Sequence, residues 1–287
     1  MLKTAIRTEP YFDTQNYEQG LLKIKSYGYS GIDYRGLISP NSPLYTLSES
    51  DFESYLTKFY SYASSLNLEI CQVHALWPHS DFTNEEKASV TDCYLKAIKA
   101  CKLLNSKYLV IHPAFVNAIN LNLTRAQVYE LNVERVKKIL PYAKQNGVTI
   151  CVENMPFVNR PYSFSSTSEL KELIELVNDT NFKACLDTGH AVATGEDLVS
   201  AVLTLGAHLK TLHIHDSVFE KDLHLIPNLL DGKWKGFVSA LNEIEFSGFI
   251  TLETSVSKDV LEPLKTQKEI ELYNIAKTLA QNLKNHQ

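Results

Sequence analysis

The 287-residue sequence has no basic excess: 28 lysines and arginines stand against 33 aspartates and glutamates, a formal charge of −5. It therefore lacks the global cationic footprint that usually draws proteins to nucleic acid, and such a partner would need a local basic groove. No apolar run approaches the roughly 20 residues that span a bilayer, and the opening MLKTAIRTEPYFD has no apolar stretch of signal-peptide length. No membrane partner is expected, and the expected location is the cytoplasm. The five cysteines, Cys71, Cys93, Cys101, Cys151 and Cys185, form an odd set without a C-x-x-C pair. Three of them (Cys71, Cys151, Cys185) lie in strand-like runs, so they read as small buried hydrophobes in a reducing compartment. A Pro/Ser-rich linker is also missing; RGLISPNSPLY, residues 35–45, is short enough to be one loop.

What is present is a 44% hydrophobic, 21% charged chain, enough for a full-sized core. Eight short apolar runs (KTAIR, GIDYR, EICQVHA, YLVIHP, VTICVEN, FKACLD, LKTLHIHD and FITLET) alternate with helical stretches. The helices are expected near residues 15–27, 49–66, 84–104, 124–146, 166–178, 195–207, 235–246 and 259–284. Eight parallel βα units predict an α/β fold, a (β/α)8 TIM barrel, formed by one domain over residues 1–287.

Side chains on a strand alternate in direction, so parity tells which residues share a side. Leu109 and Ile111 oppose Val110 and His112; Ile150 and Val152 oppose Cys151 and Glu153; Ala184 and Leu186 oppose Cys185 and Asp187. Leu212 and Ile214 oppose Thr211, His213 and His215; Ile250 and Leu252 oppose Thr251 and Glu253; Cys71 and Val73 oppose Gln72 and His74. In a barrel the aliphatic side meets the helices and the other points inward, with functional groups at the strand C-terminal ends. His74, His112, Glu153, Asp187, His213 and Glu253 are thus predicted to converge on one mouth.

Two carboxylates about 4 Å apart repel by about 4 kcal/mol at an effective dielectric of 20. Three at one mouth either take up protons or surround a cation, and oxygen donors mixed with imidazole suit Mn, Mg, Co or Zn. The motif CLDTGH shows the two ways of reading such residues. Asp187 ends a strand and starts a helix, as an N-cap would, and His190 follows three residues later. Taken singly each has a structural explanation; the inward parity repeated over six strands favours one divalent metal ion.

On these motifs the chain resembles the xylose isomerase-like TIM barrels, which include sugar isomerases and epimerases, inosose-processing enzymes and endonuclease IV. GYSGIDYRG, YLVIHPAF, ICVENMP, CLDTGHAVATGEDL, LKTLHIHDS and ITLET carry the resemblance, which covers essentially the whole chain. The epimerase branch implies that Glu153, Asp187, His213 and Glu253 hold one divalent ion. Glu153 and Glu253 would be the catalytic pair, moving a proton on a sugar-like small molecule through a metal-stabilised enediolate, with His190 on a substrate oxygen. Phe219 stands where some epimerases have an arginine, six residues after His213. The endonuclease IV branch implies up to three zinc ions on His74, His112, Glu153, Asp187, His190, His213, Asp222, His224 and Glu253, with abasic-site DNA as substrate. Ala114 replaces a glycine of that branch, and GLISPNSPLY and ALWPHSDF carry almost no positive charge, where phosphates would demand it. A metal-dependent sugar or polyol-ketone isomerase is the favoured reading, the phosphodiesterase the alternative, and a non-catalytic metabolite-binding barrel a third. Oligomeric state is not read from the sequence.

Among the remaining residues, Trp77 and His79 are candidate pocket caps or plain packing residues, and His215 is placed beyond His213, in a supporting or exposed position. Asn154 suits either an orienting role beside Glu153 or a turn. Asp33 and Arg35 share inward parity and are read as a barrel-floor ion pair, with contact between Arg35 and a substrate anion as the alternative. Lys221, Lys233, Lys235 and Lys258 lie near the last two loops, as phosphate ligands or solvated charges.

Overall fold

The computed structural model describes residues 3–12, 16–77, 84–114, 123–158, 162–257 and 259–284. The strands β1 (Thr4–Arg7), β2 (Gly31–Tyr34), β3 (Glu69–His74), β4 (Tyr108–Ile111), β5 (Thr149–Glu153), β6 (Phe182–Asp187), β7 (Leu209–His213) and β10 (Ile250–Leu252) form one eight-stranded parallel sheet in the order β10-β1-β2-β3-β4-β5-β6-β7. The ring closes where the Ile214 N–H donates to the Thr251 carbonyl at 2.8 Å and the Glu253 N–H to the Ile214 carbonyl at 2.9 Å. This is the expected (β/α)8 barrel.

Helices α1 (Tyr17–Tyr27), α2 (Glu49–Ser65), α3 (Asn84–Leu103), α4 (Arg125–Gln145), α5 (Thr167–Val177), α8 (Gly232–Glu243) and α9 (Leu264–Gln281) follow the predicted stretches. Their starts are fixed chemically: Ser48, Thr124, Ser166 and Asp231 each accept a first-turn N–H, and Gln127 completes a capping box with Thr124. Ile32, Val73, Leu109, Ile150, Leu186, Leu212 and Leu252 are fully buried in the layer between barrel and helices, each contributing about 1.5 to 3 kcal/mol. Val110, Cys151 and Cys185 form a separate small cluster, the barrel's interior filling.

The stretch near 195–207 holds α7 (Leu198–Leu205), and a separate short helix, α6 (Thr188–Ala193), follows β6 directly, with Gly195 at φ +78° between the two. Two local expectations need correction. The segment after β7 folds into an unforeseen antiparallel hairpin, β8 (Asp216–Val218) with β9 (Lys221–Leu225), that packs on α6. In β3 a register shift lets Ile70 and Val73 both face the helices, while the Cys71 thiol lies 3.8 Å from Thr251 Oγ1. Cys71 is therefore inward, not outward with Val73. Among the described residues, no helix is long and apolar enough to cross a membrane.

Candidate metal centre

The six inward residues at the strand ends do meet. Glu153, 1% exposed, ends β5; its Oε2 accepts from His112 Nε2 at 2.9 Å and lies 3.3 Å from His74 Nε2. His213, at the end of β7, places Nδ1 2.7 Å from both Glu153 Oε1 and Glu253 Oε2. Donor atoms of Glu153, Asp187, His213 and Glu253 all lie within 4.8 Å of one another, and so do those of His74, Glu153 and His213.

The DTGH segment caps a helix and also brings a carboxylate into the buried group. Asp187 Oδ1 accepts the His190 N–H at 2.6 Å, capping α6, while its carboxylate belongs to the buried four-residue group. Thr188 Oγ1 donates to the His215 carbonyl at 2.7 Å and ties this turn to the end of β7. Gly189 lies against the His215 ring: an added Cβ would be 1.8 Å from Cε1. His190 turns into the site, its Nδ1–H donated to the Asn154 carbonyl at 2.7 Å. The Asn154 side chain bridges strands, donating to the Asp187 carbonyl at 3.0 Å and accepting its N–H at 2.8 Å. Asn154 thus positions Asp187, not Glu153.

The hairpin brings the last pair. Asp222 Oδ2 lies 3.4 Å from His190 Nε2 and 3.5 Å from His224 Nε2, and Asp222 is only half-buried. All nine candidate ligands therefore line one mouth, in a buried group around Glu153 and a more open one around Asp222.

His215 takes the supporting one of the two positions weighed for it: it is completely buried, its Nε2 sits 3.0 Å from Asp187 and its ring stacks on His224 at 4.1 Å. Arg35 departs from expectation and is at the mouth, not the floor, with Nη2 2.7 Å from Glu253 Oε1 and Nε 3.2 Å from Asp33. The sequence held a signal for His215, the glycine at 189 that leaves its ring room. Trp77 meets His112 edge-on at 4.4 Å, a packing contact at the rim. Lys233 pairs with Asp216 at 2.6 Å, while Lys221 and Lys235 are solvent-exposed. His79 and Lys258 lie outside the described residues.

The hydrogen-bond logic of the histidines tests whether a cation fits. Nδ1–H groups of His74, His190, His215 and His224 are committed to the carbonyls of Ala75, Asn154, Asp216 and Glu253. A neutral ring donating through Nδ1 presents a lone pair at Nε2. In all four that lone pair faces a carboxylate oxygen within 3.5 Å. Two acceptors face each other only if a proton or a metal ion stands between them. Glu253 Oε2 and His74 Nε2 are moreover buried without a hydrogen-bond partner.

Protons can meet the same need. Burial works against an imidazolium at His213, but Cys185, Glu153 and Glu253 outweigh it and hold its pKa well above the usual value. His190, also disfavoured by burial, is raised to about 10 by Asp187, Asp222 and Glu153. Burial would raise Glu153; His213 and His112 reverse this and keep it well below the carboxylate range. Arg35 and His213 do the same for Glu253. His112, dominated by burial, falls to about 4 and stays neutral. A divalent ion would supply the positive charge these rings otherwise take from protons.

Comparison with known proteins bears on the family and the fold. Residues 21–275 match the profile of the xylose isomerase-like TIM barrels. The chain belongs to that family. Similar curated proteins include the uncharacterized MJ1311 of Methanocaldococcus jannaschii, 26% identical over 70% of each chain, and a probable endonuclease 4 of Metamycoplasma arthritidis, 28% identical over 64% of this chain and 66% of that one. The match thus spans a little under two thirds of the endonuclease's length. Similar solved structures include the 3-keto-D-glucoside 4-epimerase YcjR of E. coli (13% identity, TM-score 0.78, 97% and 100% coverage) and the D-psicose 3-epimerase of Clostridium cellulolyticum H10 (16%, 0.78, 97% and 99%). A further one is the IolI protein, solved with zinc (17%, 0.73, 99% of both chains). At these identities the structures establish the shared fold.

Proposed function

We propose that this family member is a divalent-metal-dependent isomerase or epimerase of a sugar or polyol-derived ketone, working by proton transfer through an enediolate. Glu153, Asp187, His213 and Glu253 would hold the ion. The observation that carries this reading is the pair of buried carboxylates, Glu153 and Glu253, standing on strands three apart around the ring and both 2.7 Å from His213 Nδ1.

A divalent ion bound there supplies Lewis-acid charge beside a carbonyl and its neighbouring hydroxyl, which lowers the free energy of the enediolate. The chain's own groups do the rest. One glutamate takes the proton from the carbon next to the carbonyl, and the other returns a proton from its own side. His112 fixes Glu153 through Oε2, so the opposite oxygen faces the centre. Asp222, His190 and His224, at the more open end, suit hydroxyl binding at the rim. Burial of the carboxylates keeps water from competing for the transferred proton.

The test is solvent deuterium incorporation at the carbon beside the carbonyl of ketoses incubated with the enzyme and Mn²⁺. Glu153→Gln and Glu253→Gln should each lower exchange by about 10² to 10⁴-fold. Failure to exchange across a panel of ketoses, phosphorylated and free, would refute the reading.

One observation favours a second reading, a zinc phosphodiesterase acting on abasic-site DNA. His74 and His112 close on Glu153, and His190 and His224 on Asp222, so a set fit for three ions is assembled. Against it, Arg35 is committed to carboxylates and Lys233 to Asp216, which withdraws both cations from phosphate binding. Two or three zinc ions per chain together with cleavage of an abasic-site duplex would establish the nuclease instead.

A further inference from the structure

Strand β2 carries a device that neither proton-transfer glutamate accounts for. Asp33 and Arg35, two residues apart, point to the same side; Asp33 is wholly buried and the Arg35 side chain is 3% exposed. Each edge of the guanidinium faces a different carboxylate: Nη2 to Glu253 Oε1 at 2.7 Å, Nε to Asp33 Oδ2 at 3.2 Å, and Nη1 to Glu9 Oε1 at 3.1 Å. The Arg35 N–H is anchored on Thr8 Oγ1 at 3.1 Å, which fixes where the side chain starts. On its other side, Asp33 Oδ2 lies 3.3 Å from His213 Nε2.

Two of the four residues assigned to the ion are thus supported from β2. His213 turns Nδ1 toward Glu153 and Glu253 and Nε2 toward Asp33. Glu253 gives Oε1 to Arg35, while Oε2 is left without a hydrogen-bond partner and faces the centre. A carboxylate behind a metal-bound imidazole sets its tautomer and raises its basicity, and a cation behind a bound carboxylate decides which oxygen it offers. Arg35 also offsets the charge of Asp33, which would otherwise be a further uncompensated buried anion.

We propose that Asp33 and Arg35 are positioning residues for the cation: Asp33 holds His213 with Nδ1 free to ligate, and Arg35 holds Glu253 so that only Oε2 ligates. This rests on the reading of Glu153, Asp187, His213 and Glu253 as the ion's ligands. It disfavours Arg35 as a site for a substrate's anionic group, because each edge of its guanidinium already lies within 3.2 Å of a carboxylate oxygen.

The test is titration of the metal-stripped full chain with Mn²⁺, free ion counted by electron paramagnetic resonance, for wild type, Asp33→Asn and Arg35→Lys. Arg35→Lys keeps the charge but loses the fork that reaches three carboxylates, so the fold retains its counter-ion. The expected result is one Mn²⁺ per wild-type chain and a 10- to 100-fold weaker dissociation constant in each variant. A second readout, the visible spectrum of the Co²⁺-loaded protein, should change in both variants, which a remote structural ion pair would not cause. Wild-type Mn²⁺ affinity and Co²⁺ spectrum in the variants, with only the melting temperature of the stripped protein lowered, would overturn the proposal. So would an Arg35→Lys chain whose only defect is a raised KM for phosphorylated substrates. Absence of Mn²⁺, Co²⁺ or Zn²⁺ binding by wild type would instead bring down the underlying site reading, and the proposal with it.

Discussion

Gly189→Ala is the substitution whose effect can be worked most directly from the geometry. The new Cβ would lie 1.8 Å from His215 Cε1 and 2.0 Å from Nδ1, far inside van der Waals contact. The ring has no easy retreat, since Nε2 is held at 3.0 Å by Asp187, its face stacks on His224, and the backbone N–H of His215 is bonded to Thr188 Oγ1. If the ring leaves, a buried bond to a carboxylate is lost, which costs about 1.5 to 3 kcal/mol. If the start of α6 shifts instead, overpacking costs about 1 to 3 kcal/mol. With about 2 to 4 °C per kcal/mol for chains of this size class, the melting temperature should fall by roughly 2 to 12 °C. Thermal unfolding followed by circular dichroism measures this, and a cycle with His215→Ala isolates the cause. In the His215→Ala background the added methyl has room, so most of the penalty should vanish. An unchanged melting temperature, or an equal loss in both backgrounds, would refute the reasoning.

Other expectations follow from single contacts. Asn154→Ala leaves the Asp187 N–H and carbonyl without their bridging amide, so urea unfolding should show a loss of about 2 to 6 kcal/mol for the two buried groups. Asp222→Asn should leave about one ion per chain bound while raising KM; under the three-zinc alternative, metal analysis would instead show an ion lost. Chelation should abolish deuterium exchange, with recovery on adding Mn²⁺, and should lower the melting temperature. An ion present at 100 times its dissociation constant stabilises by about 2.7 kcal/mol, so a chelator that leaves stability untouched contradicts a resident cation.

The barrel and the convergence of His74, His112, Glu153, Asp187, His213 and Glu253 were legible because strand side chains alternate strictly, and six aliphatic faces announced which side was inward. The same rule misplaced Cys71, since a register shift in β3 reverses parity without any mark in the composition. Depth along a strand is not written in alternation. Asp33 and Arg35 were correctly placed on the inner side yet assigned to the wrong end of the barrel, because where β2 stops relative to β10 is set by neighbouring strands. Alternation puts His215 on the side of His213 but does not decide between a buried and an exposed ring past the end of β7; its burial follows from Thr188 and Gly189 across the gap. The hairpin escaped notice because its turn has no Asn-Gly or Gly pair, Glu220 taking the left-handed conformation at φ +64°. Asp222 and His224 were identified as candidates by resemblance, and the hairpin explains how they reach His190.

The central claim is that Glu153, Asp187, His213 and Glu253 hold a single divalent ion. Metal content per chain, measured on protein purified without chelator for wild type and Glu153→Gln, tests it most directly. About one ion in wild type and a marked loss in the variant is the predicted result. No bound metal in wild type, or two to three ions per chain, would contradict it.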